Sequence, residues 1–146
     1  MPSYRCTTVR GRLSPPQRAE LAGEITRVHH NVTGAPTYFA RVAFDEAESG
    51  AVFIGGAPLR HDHVFLIGNV RSDRPATTRA ALVRGLTDVI VSVAAVTSTG
   101  VWVYLVELPA AAMVEFGHVL PDPGEDERWS AALPPEDRAW MRTLGH

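Results

Sequence analysis

The chain nearly repeats itself, and a repeat of this length leaves few folds open. A shift of 61 positions lays one apolar stripe at helical spacing, Leu21, Ile25, Val28 and Val32, over another, Leu82, Leu86, Val89 and Val93. The same shift pairs Val9 with Val70, Arg10 with Arg71, Arg18 with Arg79 and Thr26 with Thr87. Each half reads strand, helix, strand. In the first, Ser3–Val9 has strand composition, and Ser14 with Pro15 marks a helix start. Thr33-Gly34-Ala35-Pro36 closes that helix, and residues 38–44 follow as a second strand. In the second, Val64-Phe65-Leu66-Ile67 leads to Asp73 and Pro75 as start signals, and residues 101–107 supply the fourth strand.

A strand–helix–strand unit crosses over and leaves its two strands parallel. Two such units predict an α+β fold: tandem β-α-β repeats over about 2–45 and 63–108, sharing one sheet with both helices on one face. At 146 residues the chain has material for one core, so 1–146 is expected as a single domain. Runs such as Val64-Phe65-Leu66-Ile67 are apolar on both faces, while helices cover only one. The uncovered face predicts oligomerisation, sheet against sheet. Residues 47–63, with Val52-Phe53-Ile54 and Gly55-Gly56, read as a small hairpin or as an excursion able to reach a neighbouring subunit. Residues 109–146 read as an ordered arm with Trp129 and Trp140 as anchors and a short helix over 135–144. A tail so rich in Pro, Asp and Glu would equally suit a frayed end.

Composition removes several function classes. Charged residues make up 21% of the chain and the net charge is −2, so no basic footprint points to nucleic acid or an anionic membrane. No apolar run has the length of a membrane span, and residues 1–30 lack the order of a secretion signal. Cys6 is the only cysteine, which fits a reducing cytoplasm and rules out an intrachain disulfide. His61 and His63 would share a strand face, but two ligands without a third do not make a metal site. No metal is expected there.

Three features stand out along the chain. Pro2 follows the initiator methionine, and removal of Met1 would leave a free secondary amine. An α-amino group titrates at about 7.7–8.0, where it can give or take protons at working pH. Many chains begin Met-Pro without consequence. His29 and His30 stand where the second half has Ile90 and Val91. His29 is one turn beyond Ile25, which suits a ligand-facing imidazole and also a half-buried histidine bonded to a carbonyl. Arg71 and Arg74 sit at the junction of the third strand and second helix, close enough to converge on a carboxylate or phosphate. A surface pair bonded to Asp73 or to the tail would read the same way. If the halves are antiparallel in the sheet, Pro2 lies beside Arg71.

Pro2, His29, Arg71, Arg74, Tyr104 and Glu115 stand with the stretch Pro109-Ala110-Ala111-Ala112-Met113-Val114-Glu115-Phe116-Gly117 and with Pro121-Asp122-Pro123-Gly124 before Trp129. Together they resemble the cis-3-chloroacrylic acid dehalogenase branch of the tautomerase superfamily, over nearly the whole chain. The resemblance implies a homotrimer without metal or organic cofactor, acting on a small carboxylate. It implies that Arg71, Arg74 and His29 hold the substrate carboxylate, that Glu115 and Tyr104 activate water, and that Pro2 protonates the α-carbon. A 3-haloacrylate or an acetylenic acid would then yield malonate semialdehyde. The chain departs from the branch at Phe116 and His118, where its members carry tyrosine and arginine, and in the 33–39 loop.

The chemistry has its own logic. Attack of water on an unsaturated acid moves negative charge onto the carboxylate, so fixed guanidinium groups stabilise the transition state above the ground state. Glu115 must be ionised while Pro2 is protonated, and each charge favours the other. Two other functions share these residues or elements. Keto–enol tautomerisation of a 2-oxo acid would use neutral Pro2 as general base. A non-catalytic ferredoxin-like ligand-binding module has the same element order and no need of the amine. Retention of Met1 would end both enzymatic readings.

Overall fold

Ser14 caps the first helix in the way its neighbours predict. Its hydroxyl accepts from the Gln17 N–H at 3.3 Å, and the Gln17 side chain accepts from the Ser14 N–H at 3.0 Å. This reciprocal box, with Pro15 opening the first turn, satisfies donors that the helix cannot satisfy itself. The helix, α1, spans Pro15–Thr33 and ends at Gly34, whose φ of 74° suits glycine. The second helix, α2, spans Ala76–Ala94 without a side-chain cap and ends at Ala95 in the same left-handed region. The computed structural model describes residues 2–144. Met1, on which the freedom of the Pro2 amine depends, and residues 145–146 of the arm lie outside them.

Four strands make the main sheet: β1 (Ser3–Val9), β2 (Arg41–Ala47), β5 (Val64–Arg71) and β6 (Val101–Leu108). Between them, β3 (Phe53–Ile54) and β4 (Ala57–Pro58) form the expected hairpin. It turns on Gly55 and Gly56, both at positive φ. The sheet order is β2-β1-β5-β6, parallel within each half and antiparallel where β1 meets β5. Tyr4, Cys6, Val64 and Leu66 from the strands join Leu21, Ile25, Leu82, Leu86 and Ile90 from the helices in one core. Each of the Val, Leu and Ile side chains among them stabilises the fold by about 1.5–3 kcal/mol on burial. The opposite sheet face leaves Trp102, Tyr104 and Val106 exposed.

The 61-residue offset holds for the helices and for the edge strands, where Val42 and Phe44 correspond to Val103 and Leu105. It fails for the first strand of each half. There the buried positions are Tyr4, Cys6 and Thr8 against Leu66, Gly68 and Val70, an offset of 62. A one-residue slip turns a strand over, so pairing Val9 with Val70 would join opposite faces. The loop before α2 is one residue shorter and absorbs the difference. Two further boundaries shift: Thr37–Phe39 is a short 3-10 turn, so β2 begins only at Arg41, and His61–His63 precedes β5 in an irregular segment.

The arm is ordered against a second, smaller core. A hairpin of β7 (Val114–Glu115) and β8 (His118–Val119) leads to α3 (Asp126–Ala132), which the sequence reading missed, and to α4 (Pro135–Met141). Phe39, Ala110, Met113, Leu120, Leu133 and Met141 are buried together, with Trp129 at their edge. Trp129 anchors as expected. Trp140 is 56% exposed, and Met141 beside it takes the buried place.

Candidate active site

The antiparallel junction of the two halves sets the geometry. Ser3 faces Asn69 across β1 and β5, so the register carried one step back puts Pro2 level with Val70, the neighbour of Arg71. On its other side the Pro2 carbonyl accepts from the Arg41 N–H at 3.0 Å. Pro2 itself is buried, at the sheet end between the starts of β1 and β2 and the end of β5.

His29 is also buried, and its partner is not a carbonyl. The Tyr4 hydroxyl lies 2.8 Å from Nδ1, with the two rings edge-on at 5.9 Å between centroids. Nε2 is buried without a hydrogen-bond partner among the described residues. Burial, and next the charge of Arg74, push the His29 pKa down to about 3, so the ring is neutral at physiological pH. His30, the adjacent histidine, is exposed and bonds the Ala35 carbonyl.

The two arginines take different partners. Arg71 ends β5 with only 1% of its side chain exposed, and the arm grips it. Its Nη1 donates to the Pro121 carbonyl at 2.7 Å, and its Nη2 donates to Asp126 at 3.0 Å. The tail partner that the sequence left open is therefore real, but it does not satisfy the whole group. Arg71 Nε is buried with no partner among the described residues. Arg74 is buried too; its Nη1 donates to the Arg71 carbonyl at 3.0 Å, and no carboxylate of the described residues pairs with it. Burial, and then Arg71, lower its pKa. Two like charges sheltered from water hold each other at an electrostatic cost, which an arriving anion would relieve.

Glu115 enters from the arm hairpin. Phe116 and Gly117 form its tip with φ of 54° and 82°, a tight turn in which Phe116 adopts a conformation unusual for a large side chain. Glu115 is half-buried, and that burial raises its pKa above the usual carboxylate range. It lines a cleft of about 680 Å³ with Ser3, Arg41, Tyr38, Phe39 and Phe116. The position after Pro2 and the carboxylate thus share one cavity, and its walls on the far side are aromatic.

Tyr104 does not join this group within one chain. It stands level with Ile67 on β6, on the uncovered sheet face, 52% exposed and packed edge-on against Phe65. There it lines a separate apolar cavity of about 180 Å³ beneath the β3–β4 hairpin, with His63 and Trp102. Among the described residues no group of three or more His, Cys, Asp or Glu is arranged to hold a metal ion. Among the same residues no helix is long and apolar enough to cross a membrane. Burial pushes the Cys6 thiol up to about 12, so it carries no thiolate.

Sequence reasoning missed Tyr4 and Asp126. Tyr4 left one signal, a phenol on the strand face that must be buried, where its hydroxyl needs a partner. Asp126 left none, because it meets Arg71 across 55 residues of chain.

Tandem parallel β-α-β units joined antiparallel at the centre, with a buried Pro2 at the junction, define the tautomerase class of fold. The chain belongs to the tautomerase superfamily, in its cis-3-chloroacrylic acid dehalogenase branch. Residues 1–132 match the family described as "Putative oxalocrotonate tautomerase enzyme". The crystal structure of N1, a member of the cis-3-chloroacrylic acid dehalogenase family, superposes with a TM-score of 0.94 at 32% identity, covering 97% of this chain and 99% of that one. Native Ps01740 is 38% identical over 77% of this chain and 98% of its own, with a TM-score of 0.72. An asymmetric trimer of fused 4-OT shares the fold at a TM-score of 0.74 and 18% identity, over 80% of this chain and 94% of that one. No curated protein sequence matches significantly.

Proposed function

We propose that the chain is a hydratase or hydrolytic dehalogenase for a small α,β-unsaturated carboxylate, working without metal or organic cofactor in the cytoplasm. One domain spans 1–146, with 109–146 as its arm. The observation that carries the reading is the set of buried cationic and polar donors beside Pro2. His29 Nε2 and Arg71 Nε have no partner, and Arg74 has no paired carboxylate among the described residues. Buried donors are almost always satisfied, so a cluster of them is suited to a ligand carboxylate.

In this reading Arg71, Arg74 and His29 bind the carboxylate and stabilise the negative charge that develops on it. Glu115, helped by Tyr104, takes a proton from water as its oxygen bonds to the β-carbon. The Pro2 ammonium, formed once Met1 is gone, gives its proton to the α-carbon. A 3-haloacrylate gives a halohydrin, which loses hydrogen halide to form malonate semialdehyde; propiolate reaches the same product by hydration. Burial works against the ionised form of Glu115, while the charge of Arg71 favours it. Tyr104 lies on the other sheet face, so a neighbouring copy would have to supply it, in a trimer that packs the uncovered faces together.

The aromatic cleft of about 680 Å³ favours a second activity. It is large for a three-carbon acid and would suit keto–enol tautomerisation of an aryl 2-oxo acid, with neutral Pro2 as base.

The test is a spectrophotometric screen of untagged protein, shown by intact mass to lack Met1 and by sedimentation to be trimeric. Substrates are cis- and trans-3-chloroacrylate, propiolate and phenylenolpyruvate, with Pro2→Ala as control. Hydration that falls as the Pro2 amine loses its proton supports the acid role; tautomerisation that rises supports the base role. Turnover by Pro2→Ala equal to that of the wild type would remove both.

A further inference from the structure

Tyr4 has no role in the chemistry described above, yet it makes the one side-chain hydrogen bond that the His29 ring has among the described residues. Its phenol is wholly buried on β1, two residues from Pro2, and its hydroxyl reaches His29 Nδ1 at 2.8 Å. Burial raises the Tyr4 pKa, so the hydroxyl keeps its proton. A buried O–H needs an acceptor, and among the described residues only Nδ1 lies within reach. A neutral imidazole has one proton. If Nδ1 accepts, that proton is on Nε2, the buried atom left without a partner.

The room for this contact is made on the neighbouring strand. Gly68 faces Tyr4 across the β1–β5 ladder, and a side chain there would collide with the Tyr4 ring. The repeat offers a control. At the offset of 62 that the strand faces obey, Tyr4 corresponds to Leu66, and His29 corresponds to Ile90 on the helix. Both polar members are replaced together by aliphatic ones, so the pair occurs once in the chain, at the end that holds Pro2.

We infer that Tyr4 is a positioning residue, seated over Gly68, that fixes His29 as the Nε2–H tautomer so that a neutral imidazole donates to an anion held by Arg71 and Arg74. The role rests on the carboxylate site proposed above. It makes the imidazole a hydrogen-bond donor, neither a third cation nor a base. Without the phenol O–H, Nδ1 would lie buried with no donor, and the proton would redistribute between the two ring nitrogens.

Nitrogen-15 NMR of the imidazole reads the tautomer directly, with propionate as a saturated probe that the enzyme cannot hydrate. In the wild type at pH 7, His29 should show a protonated Nε2 and an unprotonated Nδ1, with Nε2 shifting on propionate binding. Tyr4→Phe should mix the two tautomers and weaken propionate about tenfold, and Gly68→Ala, which displaces the ring, should act in the same direction. A wild-type His29 protonated at Nδ1 overturns the inference with no variant needed. So does a folded Tyr4→Phe protein with the wild-type tautomer and propionate affinity. If wild type and Tyr4→Phe differ as expected while no unsaturated acid is turned over, the tautomer assignment stands and the hydration reading falls.

Discussion

Exchanging His29 for glutamine should flatten the acid side of the stability curve. The ordinary value of 6.5 falls to about 3 in the folded protein, chiefly through burial. Between those limits the unfolded chain binds a proton that the native chain refuses, so stability is lost as pH falls through 6.5. A tenfold difference in proton affinity is worth about 1.4 kcal/mol. At pH 5 the penalty is therefore about 2 kcal/mol, and it would approach about 5 kcal/mol below pH 3. Set against a total stability of about 5–15 kcal/mol for a domain, even the smaller figure is readily measured. Glu24, Glu46 and Asp62, whose pKa values are lowered by hydrogen bonds and neighbouring arginines, also lose stability in acid, so the comparison must be a difference. Urea denaturation of wild type and His29→Gln at pH 7.5 and pH 5, at one fixed protomer concentration, supplies it. The wild type should lose about 2 kcal/mol more than the variant over that interval. Parallel losses in the two proteins would mean that the native imidazole accepts its proton normally, and the argument for a neutral donor would fail with it.

Asp126→Ala leaves the Arg71 charge buried without its carboxylate, a change that typically costs about 3–5 kcal/mol. It should also release the arm, seen as faster limited proteolysis beyond residue 109; unchanged protection would refute the arm's attachment through this pair. Gly23 and Gly85, on the two helices, separate propensity from packing. A β-carbon on Gly23 meets nothing, so Gly23→Ala should stabilise by about 0.5–1 kcal/mol. One on Gly85 would lie 2.8 Å from Val28 Cγ1, so crowding of about 1–3 kcal/mol should reverse the sign, with urea midpoints as the readout for both.

The parts of the fold that could be read early are those whose signals are local. Ser14 with Gln17, Pro15 and Gly34 bracket α1 because capping chemistry is completed within a few residues of each helix end. The arm was harder. α3 has no side-chain cap and spans only Asp126–Ala132, too short for periodicity to speak, and its hold on the second core runs through Trp129, packed against Phe39 from elsewhere in the chain. The candidate site divides the same way. His29 stood out because the second half of the chain carries Ile90 in its place, and Arg71 and Arg74 because they stand three residues apart at a strand-to-helix junction, whereas nothing near Asp126 announces its hold on Arg71.

Sequence alone determined which elements form, that they come as two related units, and which ionisable groups the chain can bring to a site. Tertiary structure decided which of those groups meet. A strand shows alternate residues to opposite faces, so one residue fewer before α2 settles that Tyr4 and Gly68 face each other under the helices. Contacts such as Tyr4 to His29 and Arg71 to Asp126 join residues 25 and 55 apart, and Tyr104 is left on the opposite face. Such distances are closed by the packing of the sheet and its arm, because local backbone preferences act over only a few residues at a time.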